Sequence, residues 1–158
     1  MAQRCPSSPY LGVALLRDWR WIINSRGYAN VVPAPGDVVY GLAYALGGAD
    51  EARLDAYEGV PDAYGKEVME VEFWAEGRAP GREEGVVRSG LVYVDGERVG
   101  EGWAREEYVR RMNRGIEDAV GRGVPVGYVR RVLRRFVPEE GGVGGGWEGG
   151  VRVVDGLS

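Results

Sequence analysis

Glu58 stands in the segment Leu54-Asp55-Ala56-Tyr57-Glu58-Gly59-Val60-Pro61, in surroundings that offer a carboxylate acid/base work. The pattern predicts a short helix from Asp50 to Tyr57, with Asp50 as N-cap and Gly59 and Pro61 as stop signals. Glu58 then lies near the partially negative C-terminal end of that helix, which disfavours an ionised carboxylate and moves its pKa upward. A carboxyl group shifted in this direction suits a general acid/base. A solvated glutamate at a helix end is the other reading of the same residues.

The rest of the composition narrows the chemistry. The chain contains no His and one cysteine, Cys5, which removes intramolecular disulfides, Cys/His zinc sites, Ser-His triads and histidine bases together. Acid/base work near pH 7 therefore falls to a carboxylate, Lys, Tyr or Cys5. Cys5 precedes Pro6 and has only Arg4 as a basic neighbour, so it reads as a small structural thiol. No metal ligand set is present in this pattern.

With 158 residues, 44% hydrophobic and 28% charged, the chain has the composition of one soluble globular domain. Its net charge of -4 argues against sequence-independent nucleic-acid binding. No apolar run reaches the roughly 18 to 20 residues that span a bilayer, and the N-terminus lacks a secretory-signal pattern, so no membrane partner and a cytoplasmic location are expected.

The elements that must position Glu58 follow from periodicity. Leu11 to Leu16 and Trp19 to Ile23 read as two strands separated by Arg17-Asp18, in a hairpin. Val38 to Leu46 is a further strand, closed by Gly47-Gly48, with Gly41 as the site of a bulge or close backbone approach. Val68 to Trp74 alternates with period two, and Leu91 to Val94 ends at Asp95-Gly96. From Arg105 the period becomes helical, with Tyr108, Met112, Ile116, Ala119 and Val120 on one face. Pro125 opens a second helix lined by Val129, Val132, Leu133 and Phe136 and ended at Pro138. This order fits an α+β domain, a small mixed or antiparallel β-barrel with flanking helices, over residues 1–138. Residues 139–158, with seven glycines between Gly141 and Gly150, read as a mostly disordered tail. The arginines at 110, 111, 114, 130, 131, 134 and 135 are spread over two amphipathic helices, among Glu106, Glu107, Glu117 and Asp118, and read as solvated faces opposite the core stripe.

Ala29-Asn30-Val31-Val32-Pro33, the strand from Gly36 to Leu46, the segment Leu54 to Val60 and Tyr64 together resemble the central block of the gamma-glutamylcyclotransferase family. Tyr108 to Pro125 is similar to that family's C-terminal helix and its Gly-x-Pro entry into the last one. The resemblance implies a small mixed barrel and a cofactor-free enzyme that releases 5-oxoproline from gamma-glutamyl amino acids or peptides. It places Glu58 at the position of the catalytic glutamate, and Tyr64 and Tyr108 at tyrosines bordering the active site. Asn30 is a weaker substrate-binding candidate, since its place after Gly27-Tyr28-Ala29 equally suits a turn-stabilising side chain. Both tyrosines also read as half-buried aromatics with a wet tip.

The family pattern begins with a strand and a Tyr-Gly-Ser-Asn loop that holds the glutamyl moiety, whereas Met1 to Pro6 resembles the helix ending that follows it. The expected donor loop is therefore missing, with two unpaired sheet edges as a consequence. Met1 is then either an internal methionine of a longer protein, the preferred reading because the helix ending is retained, or the start of a truncated paralogue. The rival function is a non-catalytic small-ligand-binding module of the same fold. A third reading is a helix-mediated interaction protein using the Arg-rich faces. The particular gamma-glutamyl compound and the oligomeric state stay open.

Overall fold

The computed structural model describes residues 9–58, 64–139 and 152–155, with the side chains of 57, 58 and 152–155 outside the description. β1 (Tyr10–Ile23) pairs antiparallel with β2 (Ala29–Ala45), from Tyr10 opposite Tyr44 to Ile23 opposite Ala29. The two apolar runs expected as separate strands are thus one strand, and the hairpin partner is β2. Arg17-Asp18 does not end the strand because β2 supplies extra residues opposite it, shifting the register between Arg17–Val38 and Trp19–Pro33. Asp18 takes up the irregularity at φ 67°, and its Oδ1 accepts the Gly36 N–H at 2.9 Å. Gly41 faces Ala14 in regular register, so the bulge expected there lies elsewhere. A close backbone approach is shown at Gly12, where a Cβ would stand 1.9 Å from the Trp74 carbonyl oxygen.

The chain crosses from β2 through α1 (Gly48–Glu58) to β3 (Gly65–Ala75), which pairs antiparallel with β1 and with β4 (Val86–Val94). The domain is mixed α+β, built on a four-stranded antiparallel sheet in the order β2-β1-β3-β4. α1 begins earlier than expected, with Glu51 N–H bonded to Gly47 C=O at 2.9 Å, so Asp50 lies buried inside the first turn rather than at the N-cap position. α2 (Glu106–Gly121) buries Tyr108, Val109, Met112, Gly115, Ile116 and Ala119, largely the stripe that the sequence shows. Pro125 flanks the next helical segment, which passes through α3 (Val126–Tyr128), a π-helical turn (Val129–Leu133) and α4 (Arg134–Phe136).

Within the segment expected to be a tail, Arg152–Asp155 form β5. It pairs parallel with β2 over Leu42–Ala45 and antiparallel with β4 at Leu91 and Val92. The two edges of the four-stranded sheet meet at this short seam, and the ring closes as β1-β2-β5-β4-β3. The expectations of unpaired edges and of an unstructured tail do not hold for these residues. A Val-Val pair in extended backbone suits a sheet position, and each edge carries the N–H and C=O groups that a strand satisfies. The core contains Trp21, Leu16, Ile23, Leu42, Val92 and Met112, each 2% exposed or less.

Candidate functional site

Ala29, the first residue of β2, is gripped from two sides. Tyr64 Oη donates to the Ala29 carbonyl at 2.8 Å, and the Ala29 N–H donates to Tyr108 Oη at 3.2 Å. Tyr64 comes just before β3, and Tyr108 lies in the first turn of α2. The residue pair therefore ties the start of one strand to the approach of another and to a helix. Tyr108 is 3% exposed and meets Tyr28 edge-on, with ring centroids 5.4 Å apart. Tyr28 is exposed at the rim, where the Arg26 guanidinium lies 5.6 Å from its ring centroid.

Asn30, next along β2, is 2% exposed. Its amide nitrogen donates to the carbonyls of Asp95 and Arg98 at 2.9 and 3.2 Å, and its Oδ1 accepts the Asp95 N–H at 2.9 Å. This side chain stabilises a turn, but the one after β4 rather than its own. Asp95 completes that turn: its carboxylate accepts the N–H groups of Glu97 and Arg98 and pairs with the Arg98 guanidinium at 3.0 Å. Asn24, fully buried, reaches Asp95 Oδ2 at 3.4 Å and accepts the N–H groups of Arg26 and Tyr28. A buried carboxylate is tolerable here because it is supplied with donors on both oxygens. Neither Asp95 nor Asn24 is among the residues selected from sequence. Asp-Gly at a strand end was a legible turn signal for Asp95, whereas Asn24 carries no motif.

α1 is fixed by its last two turns. Leu54 is 0% exposed. Asp55 accepts from Tyr93 Oη at 2.7 Å on β4 and from Lys66 Nζ at 2.7 Å on β3. Burial alone pushes the Asp55 carboxyl up, but these two hydrogen bonds and the Lys66 charge outweigh it, and the net direction is down. Lys66 is held in turn above its ordinary value, chiefly by its hydrogen bond to Asp55. Glu58 follows three residues later, on a neighbouring position of the same helix. Its side chain lies outside the described residues, as do Gly59 to Ala63. The structure brings Tyr64 and Tyr108 together at the Ala29 backbone and directs Asn30 to the Asp95–Arg98 turn instead, with all three side chains bonded to backbone groups.

Among the described residues no group of His, Cys, Asp and Glu is arranged to hold a metal ion. No helix among them is long and apolar enough to cross a membrane.

The chain is similar to known proteins at two levels. A solved structure described as a gamma-glutamyl cyclotransferase superposes with a TM-score of 0.70 at 19% identity, covering 91% of this chain and 84% of the other. The crystal structure of an uncharacterized protein from Homo sapiens, loc79017, gives a TM-score of 0.65 at 18% identity, covering 91% and 83%. At these identities the likeness establishes the fold. No curated protein matches the sequence. The family model described as gamma-glutamyl cyclotransferase, AIG2-like, matches residues 2–111, which include Asn30, Glu58, Tyr64 and Tyr108. The chain, by sequence and by architecture, belongs to the gamma-glutamyl cyclotransferase, AIG2-like family.

Proposed function

We propose that the protein releases 5-oxoproline from a gamma-glutamyl amino acid or peptide, with Glu58 as general acid/base and Tyr64 and Tyr108 as part of the pocket wall. The family match across residues 2–111 carries this reading. The substrate brings its own nucleophile. Its α-amino nitrogen attacks the γ-amide carbonyl, a C–N bond closes the five-membered ring, and the former amide nitrogen leaves as an amine. Holding the chain curled contributes on the order of 7 to 11 kcal/mol in the best intramolecular cases. One carboxylate then suffices, taking a proton from the α-ammonium group and returning one to the leaving amine. No histidine, metal or cofactor enters these steps.

The anchoring of Asp55 supports the role given to its neighbour. Lys66 and Tyr93 fix the last turn of α1 against β3 and β4, and a proton-transfer group benefits from a helix end that does not wander. The test is Glu58→Gln in the full chain, assayed for 5-oxoproline release from a panel of gamma-glutamyl dipeptides. Release falls by about a hundredfold or more with the circular dichroism spectrum unchanged; a folded variant retaining appreciable release overturns the role.

A specific observation also favours the binding-module reading. The Tyr64 and Tyr108 hydroxyls and the Asn30 amide are already bonded to backbone, as befits a scaffold. If the folded wild-type chain binds gamma-glutamyl dipeptides but releases no 5-oxoproline from any of them, the module reading replaces the enzyme.

A further inference from the structure

A cleft of about 510 Å³ opens where β1 and β2 meet the C-terminal helical segment. Its size falls within the range of small-molecule sites. Arg20 and Asp37 come from the strands, and Arg131 and Arg135 from the helical segment. Residues 126–136 lie beyond the part of the chain that the family model matches, so one wall of this cleft is not supplied by the family's matched region.

Three arginines and one aspartate line the opening, Arg20 and Asp37 on the strand side and Arg131 and Arg135 on the helical side. Arg20 is engaged by Asp37 at 2.7 Å, and Arg135 by Glu101 at 2.8 Å just outside the lining. Arg131 has no ion pair or hydrogen bond among the described residues, and its guanidinium folds back over Gly127, where a Cβ would lie 2.9 Å from Nη1. Val132 and Phe136 supply apolar surface beside it. Tyr128 lines the cleft at only 2% exposure, with its buried Oη beside the Tyr40 backbone.

The local backbone points the same way. Arg131 and Val132 sit in the π-helical turn Val129–Leu133, an arrangement that weakens regular helix packing and recurs at functional sites. On the opposite wall Gly36 and Asp37 belong to the irregular stretch of β2 facing Asp18, and such bulges often re-aim side chains beside sites.

The geometry points to a second binding site here, for a small organic oxyanion: a carboxylate or phosphate monoester on an apolar, preferably flat, body. Arg131 supplies a charge with no ion pair among the described residues and a forked pair of N–H donors, and Val132 and Phe136 cover the body. The site stands apart from the proposed reaction, since it needs neither Glu58 nor the tyrosines around Ala29.

The test is a proton–nitrogen correlation NMR titration of the full chain with phenyl phosphate, phenylacetate, inorganic phosphate and benzyl alcohol. Saturable shifts centred on Val38, Arg131, Val132 and Phe136 are expected with at least one of the aromatic anions. Inorganic phosphate binds about tenfold more weakly or worse, and benzyl alcohol leaves these signals in place. Preference between the two aromatic anions identifies the headgroup as phosphate or carboxylate. Arg131→Gln, an exposed change that the fold tolerates, raises the Kd by about tenfold or more, and Arg131→Lys restores part of the loss. The proposal is overturned if neither aromatic anion saturates, if the shifts centre elsewhere, or if Arg131→Gln leaves the Kd unchanged.

Discussion

At Asp55 desolvation favours the neutral acid, yet hydrogen bonds from Lys66 and Tyr93 hold the carboxyl below its usual 3.8. A carboxyl depressed by folding stabilises the folded state above its unfolded pKa, and that contribution disappears as the pH falls through the lower folded value. Asp55→Asn should therefore destabilise the protein at pH 7, with the gap in urea midpoint narrowing as the pH drops below about 3.8. Lys66 has the opposite sign: held above 10.5, it loses its contribution as the pH climbs past that value. Asn30→Ala removes three bonds inside a buried turn and strands the Asp95 N–H. Loss of about 2 to 4 kcal/mol in urea unfolding is expected, and a loss under about 0.5 kcal/mol would show that the turn relaxes without it. Residue types were legible here and partners were not. Tyr64 and Tyr108 stand out by resemblance, but the groups they bond lie 35 and 79 positions away in sequence. A backbone amide, unlike a charged residue, leaves no mark on the sequence at the place where it is used.

Among the elements, α2 was the most legible, because its burial depends on one stripe repeating through four turns. β1 was the least. A polar Arg17-Asp18 pair between apolar runs has the composition of a turn, and only the extra residues of β2 make a continuous strand possible there. Gly12 marks the same strand's contact with β3. Because its absent Cβ would lie 1.9 Å from the Trp74 oxygen, Gly12→Ala must push β1 away from β3 and break pairing from Gly12 to Leu15. The cost should reach about 3 kcal/mol or more, seen as a lower urea midpoint; an unchanged midpoint would mean that the two strands separate freely at that end. Gly41, singled out in sequence for the same reason, sits in ordinary register.

For the whole molecule, closure rests on β5, whose sequence is preceded by a glycine-rich stretch. That composition reads as a tail, since four strand residues carry little signal until two open edges are known to await them. Deleting residues 139–158 removes the strand that pairs with β2 at Leu42–Ala45 and with the free side of β4 at Leu91 and Val92. The deletion should lower the Tm by several degrees, at about 2 to 4 °C per kcal/mol for a chain of this size, and increase aggregation on heating. A Tm within about 1 °C of wild type would show that the seam contributes nothing. The placement of β5 also has a consequence for biosynthesis. A ribosome adds residues from the N-terminus, so β1 to β4 can leave the exit tunnel while the strand that joins their free edges is still being made. During that interval the nascent sheet displays two extended rows of unpaired amides and carbonyls, and any passing extended peptide competes with the chain's own last strand for them.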